Sequence, residues 1–417
     1  MSRMMNILII AAIFILLDWY AFQATRLLVT DFSSNTRLTI YSVYWAISLV
    51  ALIGFIFYNL GGKNVLSDGQ RTFLFGWIFV NYASKFFGSV VLIIDDVVRL
   101  GQWAYAQFST NDVVDNGNTS ENISRSEFLA TASVVATVVP ALGLSYGIAS
   151  VAHDYRVHRV RVPMKGLPSA FEGLRIAQLS DIHSGSFFNR KAVQHGIEIV
   201  LSEKPDLIFF TGDLVNNKAT EVEDYLPIFS KLSAPLGVFS ILGNHDYGDY
   251  TSWPSRQVKQ VNLANLKEAH RLMGWKLMLD QNKILEIDNH RLAILGVENW
   301  GTGGFAQYGN LEKAYRGVDD ADTRILLSHD PSHWDAQVRP NHSDIELTLS
   351  GHTHGGQVGI EWGNLRWSFV QYRYKQWAGL YQENNQQLYV NRGFGYIGYP
   401  GRLGIRPEIA ILELTSA

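Results

Sequence analysis

The sequence predicts two structural classes joined end to end, an all-α unit of about four transmembrane helices followed by a layered α/β domain. Three observations carry this reading. Four long apolar stretches fall within the first 150 residues. Five short β-rich runs in the second half each end in a polar turn, and helix-like segments lie between the earlier of these runs. Alternation of strand and helix favours a layered α/β domain, in which ligands gather at the carboxyl ends of the strands.

The apolar stretches are Ile7–Phe22, Ile40–Tyr58, Phe73–Ile94 and Phe128–Ala149. Each is close to the roughly 20 residues that cross a bilayer as a helix. A cleaved leader is the rival reading of the first, but Asp18-Trp19-Tyr20 stands where small residues would be needed for cleavage. At 417 residues the chain exceeds one ordinary domain, and 47% hydrophobic against 18% charged residues shifts the balance towards a membrane protein. The division expected is 1–150 for the transmembrane unit, 151–172 for a basic linker and 173–417 for the second domain.

Basic residues near span ends set orientation. Arg156, Arg159, Arg161 and Lys165 follow the last span, whereas the loop from Gln107 to Glu127 is acidic and polar. Four spans then make a multi-pass protein of the plasma (inner) membrane, with both termini and the second domain on the cytoplasmic side. Within the third span lie Asn81 and Lys85, and Asp95, Asp96 and Arg99 crowd its end. An ionisable residue in a span is a functional candidate, and the plainer expectation for Lys85 is a partner inside the bundle. Sequons stand at Asn118 and Asn122. A net charge of -3 gives no general attraction to nucleic acid, and none is expected to bind.

In the second half, Leu174–Ser180 leads into Asp181-Ile182-His183, and Asp206–Phe210 leads into Thr211-Gly212-Asp213. Gly237–Leu242 leads into Gly243-Asn244-His245-Asp246, Arg324–Ser328 into His329-Asp330, and Asp344–Leu349 into Ser350-Gly351-His352-Thr353-His354-Gly355-Gly356. The helix-like segments lie near Lys191–Ser202 and Glu223–Lys231. The chain has no cysteine, so disulfides, thiolate zinc sites and a cysteine nucleophile are excluded. Any metal must be held by nitrogen and oxygen. Asp181, His183, Asp213, Asn244, His329, His352 and His354 supply such donors. Mixed imidazole and carboxylate shells suit two divalent ions of manganese, iron or zinc better than calcium or magnesium alone. Two such cations about 4 Å apart can hold a hydroxide and clamp the oxygens of a phosphate. Phosphoester or pyrophosphate hydrolysis is the reaction class that follows.

These blocks, Asp181-x-His183, Gly212-Asp213, Gly243-Asn244-His245-Asp246, His329 and Gly351-His352-Thr353-His354, resemble the ordered signature of the calcineurin-like metallophosphoesterases. The resemblance covers Leu174 to the C-terminus and leaves the apolar spans outside it. It implies a four-layer αββα sandwich with a dinuclear centre at the strand ends. By position, it implies that Asp181, His183 and His354 hold one metal, Asn244, His329 and His352 the other, and that Asp213 bridges. His245 would assist the leaving oxygen, oriented by Asp246. The tail Leu388–Gly395 with Arg402 and Pro407-Glu408-Ile409 is similar to a bacterial branch containing membrane-linked enzymes. Related branches include enzymes cleaving the pyrophosphate of UDP-diacylglucosamine, and a smaller one consists of transmembrane proteins with this domain.

The function expected is a membrane-anchored phosphoesterase in which a metal-bridging hydroxide attacks a lipid-linked or nucleotide-lipid substrate, with membrane lipid as the other partner. The alternatives are a phosphodiesterase of soluble nucleotides and a catalytically silent membrane sensor or scaffold; a missing ligand would mark the latter, and none is missing. His153, His158, His195, His270, His290, His333 and His342 are expected to be solvated or packed. Phe187, Phe188, Tyr247, Tyr250, Trp253, Trp300 and Phe305 are candidates for an apolar substrate groove, for loop packing or for contact with the bilayer interface. Arg190, Asn216 and Arg402 are candidate phosphate contacts.

Overall fold

A computed structural model describes residues 3–62, 65–108, 125–363 and 365–417. Asn118 and Asn122 lie outside the described residues. The chain divides into two compact units, Met1–Tyr146 and Gly147–Ala417.

The first unit holds α1 (Arg3–Leu28), α2 (Ser34–Leu60), α3 (Asp68–Phe108) and most of α4 (Arg125–Ala149). All four are long and apolar enough to cross a membrane. Ser33 caps α2 by accepting from the Thr36 N–H, and Gly61 ends it at φ 140°. At 41 residues, α3 is about 60 Å long and outruns any hydrocarbon core. A charge inside such a bundle needs a partner. Lys85 has two, with its Nζ 2.6 Å from both Asp18 Oδ1 and Ser48 Oγ.

The second unit contains, in chain order, β1 (Arg156–Met164), β2 (Arg175–Leu179), β3 (Leu207–Phe210), β4 (Val238–Ser240), β5 (Lys276–Leu277), β6 (Gln281–Ile287) and β7 (His290–Gly296). There follow β8 (Thr323–Leu327), β9 (Leu347–Ser350), β10 (Gly359–Trp362), β11 (Leu365–Ser368), β12 (Gly379–Glu383), β13 (Gln386–Val390) and β14 (Glu408–Ser416). One sheet has the order β1-β14-β2-β3-β4-β5, another β12-β13-β9-β8-β7-β6, and β10-β11 form a separate ribbon. The helices α5 (Arg190–Ser202), α6 (Leu226–Phe229), α7 (Arg256–Leu272) and α8 (Leu311–Tyr315) cover them.

Period-2 alternation builds the layers. On β3, Leu207 and Phe209 join Leu292, Ile294, Ile325 and Leu327 of the other sheet in the core between the sheets. Ile208 and Phe210 face the opposite way, packing in one cluster with Val193 and Ile197 of α5 and Leu266 of α7. On the far sheet, Ala293, Leu295 and Leu326 pack with Leu311 and Ala314 of α8 and with Trp334. Helix, sheet, sheet and helix make the four-layer αββα sandwich that the motifs imply.

Within 151–172, where the basic residues suggest a linker, the structure has strand β1, paired in parallel with β14 along its whole length. The physical reason is alternation. Val162 and Met164 enter the core between the sheets, while Arg159 and Arg161 point out from an edge strand, so the charge that resembles a linker is the solvent face of a sheet.

Candidate metal centre

The parallel strands β2, β3 and β4 of one sheet and β8 and β9 of the other end in the turns that carry the candidate ligands. These turns are strained. Asp181, His183, Asp213, His352 and His354 all have positive φ, between 50° and 68°. A left-handed non-glycine residue costs about 1–2 kcal/mol, so the surrounding structure holds these five candidate ligands against their local preference. Gly212, at φ 97°, lets two of these turns approach closely: a Cβ there would lie 2.8 Å from Gly243 Cα and 2.9 Å from His329 Nδ1.

Two groups of donors result. Asp181, His183 and His354 form one, and Asp213, His329 and His352 the other, with the ligand-type atoms of each group within 4.8 Å of one another. In the first, His183 Nε2 lies 3.0 Å from His354 Nε2, and His354 Nε2 lies 3.3 Å from Asp181 Oδ1. In the second, Asn244 Oδ1 lies 2.8 Å from His352 Nδ1 and 3.1 Å from His329 Nε2. Asp213 Oδ2 stands between the groups, 3.5 Å from His183 Nε2 and 3.2 Å from His329 Nε2.

The donor set fits a pair of cations. His329 Nδ1 faces the Thr211 carbonyl at 2.7 Å; donating its proton there leaves Nε2 as a lone pair facing Asp213, Asn244 and His352. Acceptor atoms so arranged in a buried site repel one another unless a proton or a cation lies among them. Burial pushes the His183 and His352 imidazoles down to about 3 and about 4, and the His354 imidazole well below its ordinary range. All three are therefore neutral at pH 7, the state that ligates metal. Burial pushes the Asp181 carboxyl up to about 6. Burial would raise Asp213 as well, but the His329 and His245 charges outweigh it and hold that carboxyl well below the usual range. Burial alone would lower His329; the Asp213 and Asp181 charges reverse this and lift it to about 10, so the charged ring carries a proton on Nε2 among these acceptors, and a cation would take that proton's place and leave Nε2 as the lone pair.

His245 lies beside the first group, its ring 5.0 Å from that of His183. Its Nδ1 faces the Asn216 carbonyl at 2.9 Å. This corrects the expectation that Asp246 orients the ring. The Asp246 carboxylate is fully buried and accepts the N–H groups of Asp213, Leu214, Val215 and Gly243 at 2.8–3.2 Å. It pins the Asp213 turn, and its oxygens are fully engaged in doing so.

The candidate phosphate contacts have other duties. Arg402 is fully buried, and its guanidinium donates to the carbonyls of His354, Gly393 and Gly395. The Asn216 side chain bonds Ser186, and Arg190 is an exposed residue opening α5. Of the aromatics, Tyr250 and Phe305 touch the centre. Tyr250 Oη accepts from Asn244 Nδ2 at 2.9 Å, and the Phe305 ring stands edge-on to His352 at 4.6 Å. Phe187 packs among Tyr225, Phe394 and Tyr396, Tyr247 donates to Glu298, Trp253 donates to the Gly248 carbonyl, and Trp300 lies against His333. The buried His270 and His333 are packed and bonded to Ser240 and Ser328.

Two residues escape the sequence reading. Tyr374 Oη lies 2.7 Å from His352 Nε2 and 3.3 Å from Asp330 Oδ2, so both hold the far side of a ligand. No spacing marks Tyr374, and Asp330 reads as an ordinary turn residue.

Comparison with known proteins gives two family models in succession. "Probable Calcineurin-like phosphoesterase, transmembrane domain" matches residues 3–151, and "Calcineurin-like phosphoesterase" matches 174–356. The "Uncharacterized metallophosphoesterase YkuE" of Bacillus subtilis (strain 168) is 29% identical over 303 residues, covering 71% of this chain and 99% of that protein. The "Transmembrane protein with metallophosphoesterase domain" of Danio rerio is 29% identical over 306 residues, covering 72% of this chain and 67% of that protein. Among solved structures, the 5'-nucleotidase precursor from Thermus thermophilus is 11% identical with a TM-score of 0.35, covering 58% of this chain and 54% of that one.

Proposed function

The chain belongs to the calcineurin-like phosphoesterases, metal-dependent phosphoric ester hydrolases, and from that premise we propose that this membrane protein cleaves a phosphoester or pyrophosphate bond in a lipid-linked or nucleotide-lipid substrate. The observation that carries the reading is the position of Asp213, whose Oδ2 lies within 3.5 Å of a ring nitrogen in each donor group. The lipid-linked class is supported by the four apolar helices of the same chain, which keep the domain where such substrates lie. The basic residues that follow the last helix, Arg156 to Lys165, favour the cytoplasmic side.

Asp181, His183 and His354 would hold one divalent cation, and Asn244, His329 and His352 the other, with Asp213 shared; manganese, iron or zinc suits these donors. When bound, such a pair supplies water of lowered pKa at neutral pH and neutralises charge on phosphate oxygens. The chain's own residues do the rest. Asp246 fixes the backbone on either side of Asp213 through buried N–H bonds, so the shared carboxylate is set in place before substrate arrives. His245, with the Asn216 carbonyl on Nδ1, keeps Nε2 for proton donation to the leaving oxygen.

The test is a metal-reconstituted screen of the full chain over phosphomonoesters, phosphodiesters and lipid pyrophosphates. Asp213→Ala is expected to lose both metal and turnover. His245→Ala is expected to retain metal and lose about 10²–10⁴-fold in rate. A His245→Ala enzyme with full activity would remove that residue from the mechanism.

A further inference from the structure

We propose that the β10–β11 ribbon is a membrane-docking hairpin, seating the catalytic domain on an anionic lipid surface beside the metal centre. The register decides which side chains share a face. Ile360 lies opposite Trp367 and Trp362 opposite Leu365, so these four stand on one face; Glu361 opposite Arg366 and Gly359 opposite Ser368 form the other.

The second face is fastened to the domain. Ser368 Oγ donates to the Val358 carbonyl at 3.0 Å, Arg366 Nη1 to the Ala378 carbonyl at 3.1 Å, and Glu361 accepts from Arg392 Nε at 3.1 Å. The apolar face is left outward, with Trp362 84%, Leu365 57% and Ile360 48% exposed. Phe369, 58% exposed and edge-on to Trp367 at 4.6 Å, and Tyr372, 77% exposed, continue it. A soluble sheet with one wet face turns its polar side to water. This ribbon does the reverse, and an exposed apolar patch of this kind marks a contact surface.

Charge selects the occupant. From Val358 to Tyr381 Glu361 is the single acidic residue, and it is engaged by Arg392, whereas Arg366, Arg373 and Lys375 are exposed. Tryptophan and tyrosine with a basic rim match the interfacial layer of an anionic bilayer. The four apolar helices keep a bilayer present for this chain. The hairpin is also joined to the centre at both ends. Gly356, two residues past His354, packs where a Cβ would meet Ser368 and Val370, and Tyr374 reaches His352.

The inference stands apart from the substrate assignment, because its test reads lipid contact and not turnover. The chain has no cysteine, so Trp362→Cys carries a single environment-sensitive label in the full protein. Reconstituted in vesicles of phosphatidylcholine with phosphatidylglycerol, the label is expected to lose about two-fold or more of its emission to nitroxide lipids. It should lose less in phosphatidylcholine alone. A label at Leu272→Cys, exposed on the last turn of α7, is expected to stay unquenched, and adding Leu365→Asp to Trp362→Cys should weaken the quenching. Equal quenching at 362 and 272, or none at 362, would overturn the proposal. So would shielding at 362 that appears in detergent without vesicles and grows with protein concentration, which would make a second copy the occupant.

Discussion

His352 is held from both sides, and the chemistry of its ring follows from that. Nδ1 lies 2.8 Å from Asn244 Oδ1 in the second donor group; to ligate a cation there it would be the lone-pair nitrogen, and Nε2 would then carry the proton towards Tyr374 Oη at 2.7 Å. The tyrosine hydroxyl is left to donate to Asp330 at 3.3 Å. Partners of this kind set tautomer and ring angle, and losing one costs roughly 10–100-fold in metal affinity. Tyr374→Phe is therefore expected to weaken binding of an ion in the second group by about that factor, while an ion in the first group, which Asp181, His183 and His354 would hold, keeps its affinity. Stepwise metal titration of the purified variant measures both; unchanged affinity for both ions would leave the tyrosine without a positioning role. The seven ligand candidates could be read from the sequence because each is a nitrogen or oxygen donor just after a β-rich run. Tyr374 could not, since its contact is made by the chain returning 22 residues later. Nor could the Asn216 and Thr211 carbonyls, which carry no side-chain signature, or the left-handed backbone of five ligand candidates.

Strand β14 shows what an element needs beyond its own pattern. It lies between β1, parallel to it, and β2, antiparallel, and begins at the fully buried Glu408. Glu408 Oε2 accepts from Arg392 Nη1 at 2.8 Å and from the Arg392 N–H at 2.9 Å, and Tyr389 donates to Oε1. Burial alone would raise the Glu408 carboxyl, but the Arg392 charge outweighs it and holds the group below its ordinary range. With the folded value below the unfolded one, the stability this group contributes is complete above the unfolded pKa of about 4.3 and is lost as pH falls through the lower folded value. Hydrogen exchange in the full chain should show protection of Glu408–Ser416 falling in that acid window. Glu408→Gln, which breaks a buried pair, should remove about 3 kcal/mol at pH 7 and flatten the acid dependence. A variant as protected as the wild type would show that the pair contributes nothing. Runs such as Leu207–Phe210, buried on both faces, were legible as strands. Arg156–Met164 was not, because the charges on its wet face resemble a linker.

At the scale of the whole molecule, two architectures answer to two solvents. The first unit solves the problem of charge in hydrocarbon by pairing Lys85 with Asp18 and Ser48 across three helices, and the sequence showed the lysine but not its partners. The second places strand ends from two sheets at one centre, which requires the sheets to stack. That stacking follows from alternation such as that of Leu207 and Phe209 against Ile208 and Phe210, while the order of strands in each sheet depends on long-range pairing that no local pattern encodes. The hydrolysis proposed for this chain depends on Asp181, His183, Asp213, Asn244, His329, His352 and His354 gripping a pair of cations. Metal content of the purified full chain, wild type beside Asp213→Ala, tests this most directly. We expect about two divalent ions per wild-type chain and loss of both on removing the shared carboxylate; a wild-type chain that binds no divalent ion while still hydrolysing phosphoesters, or an Asp213→Ala chain that retains both ions, would contradict it.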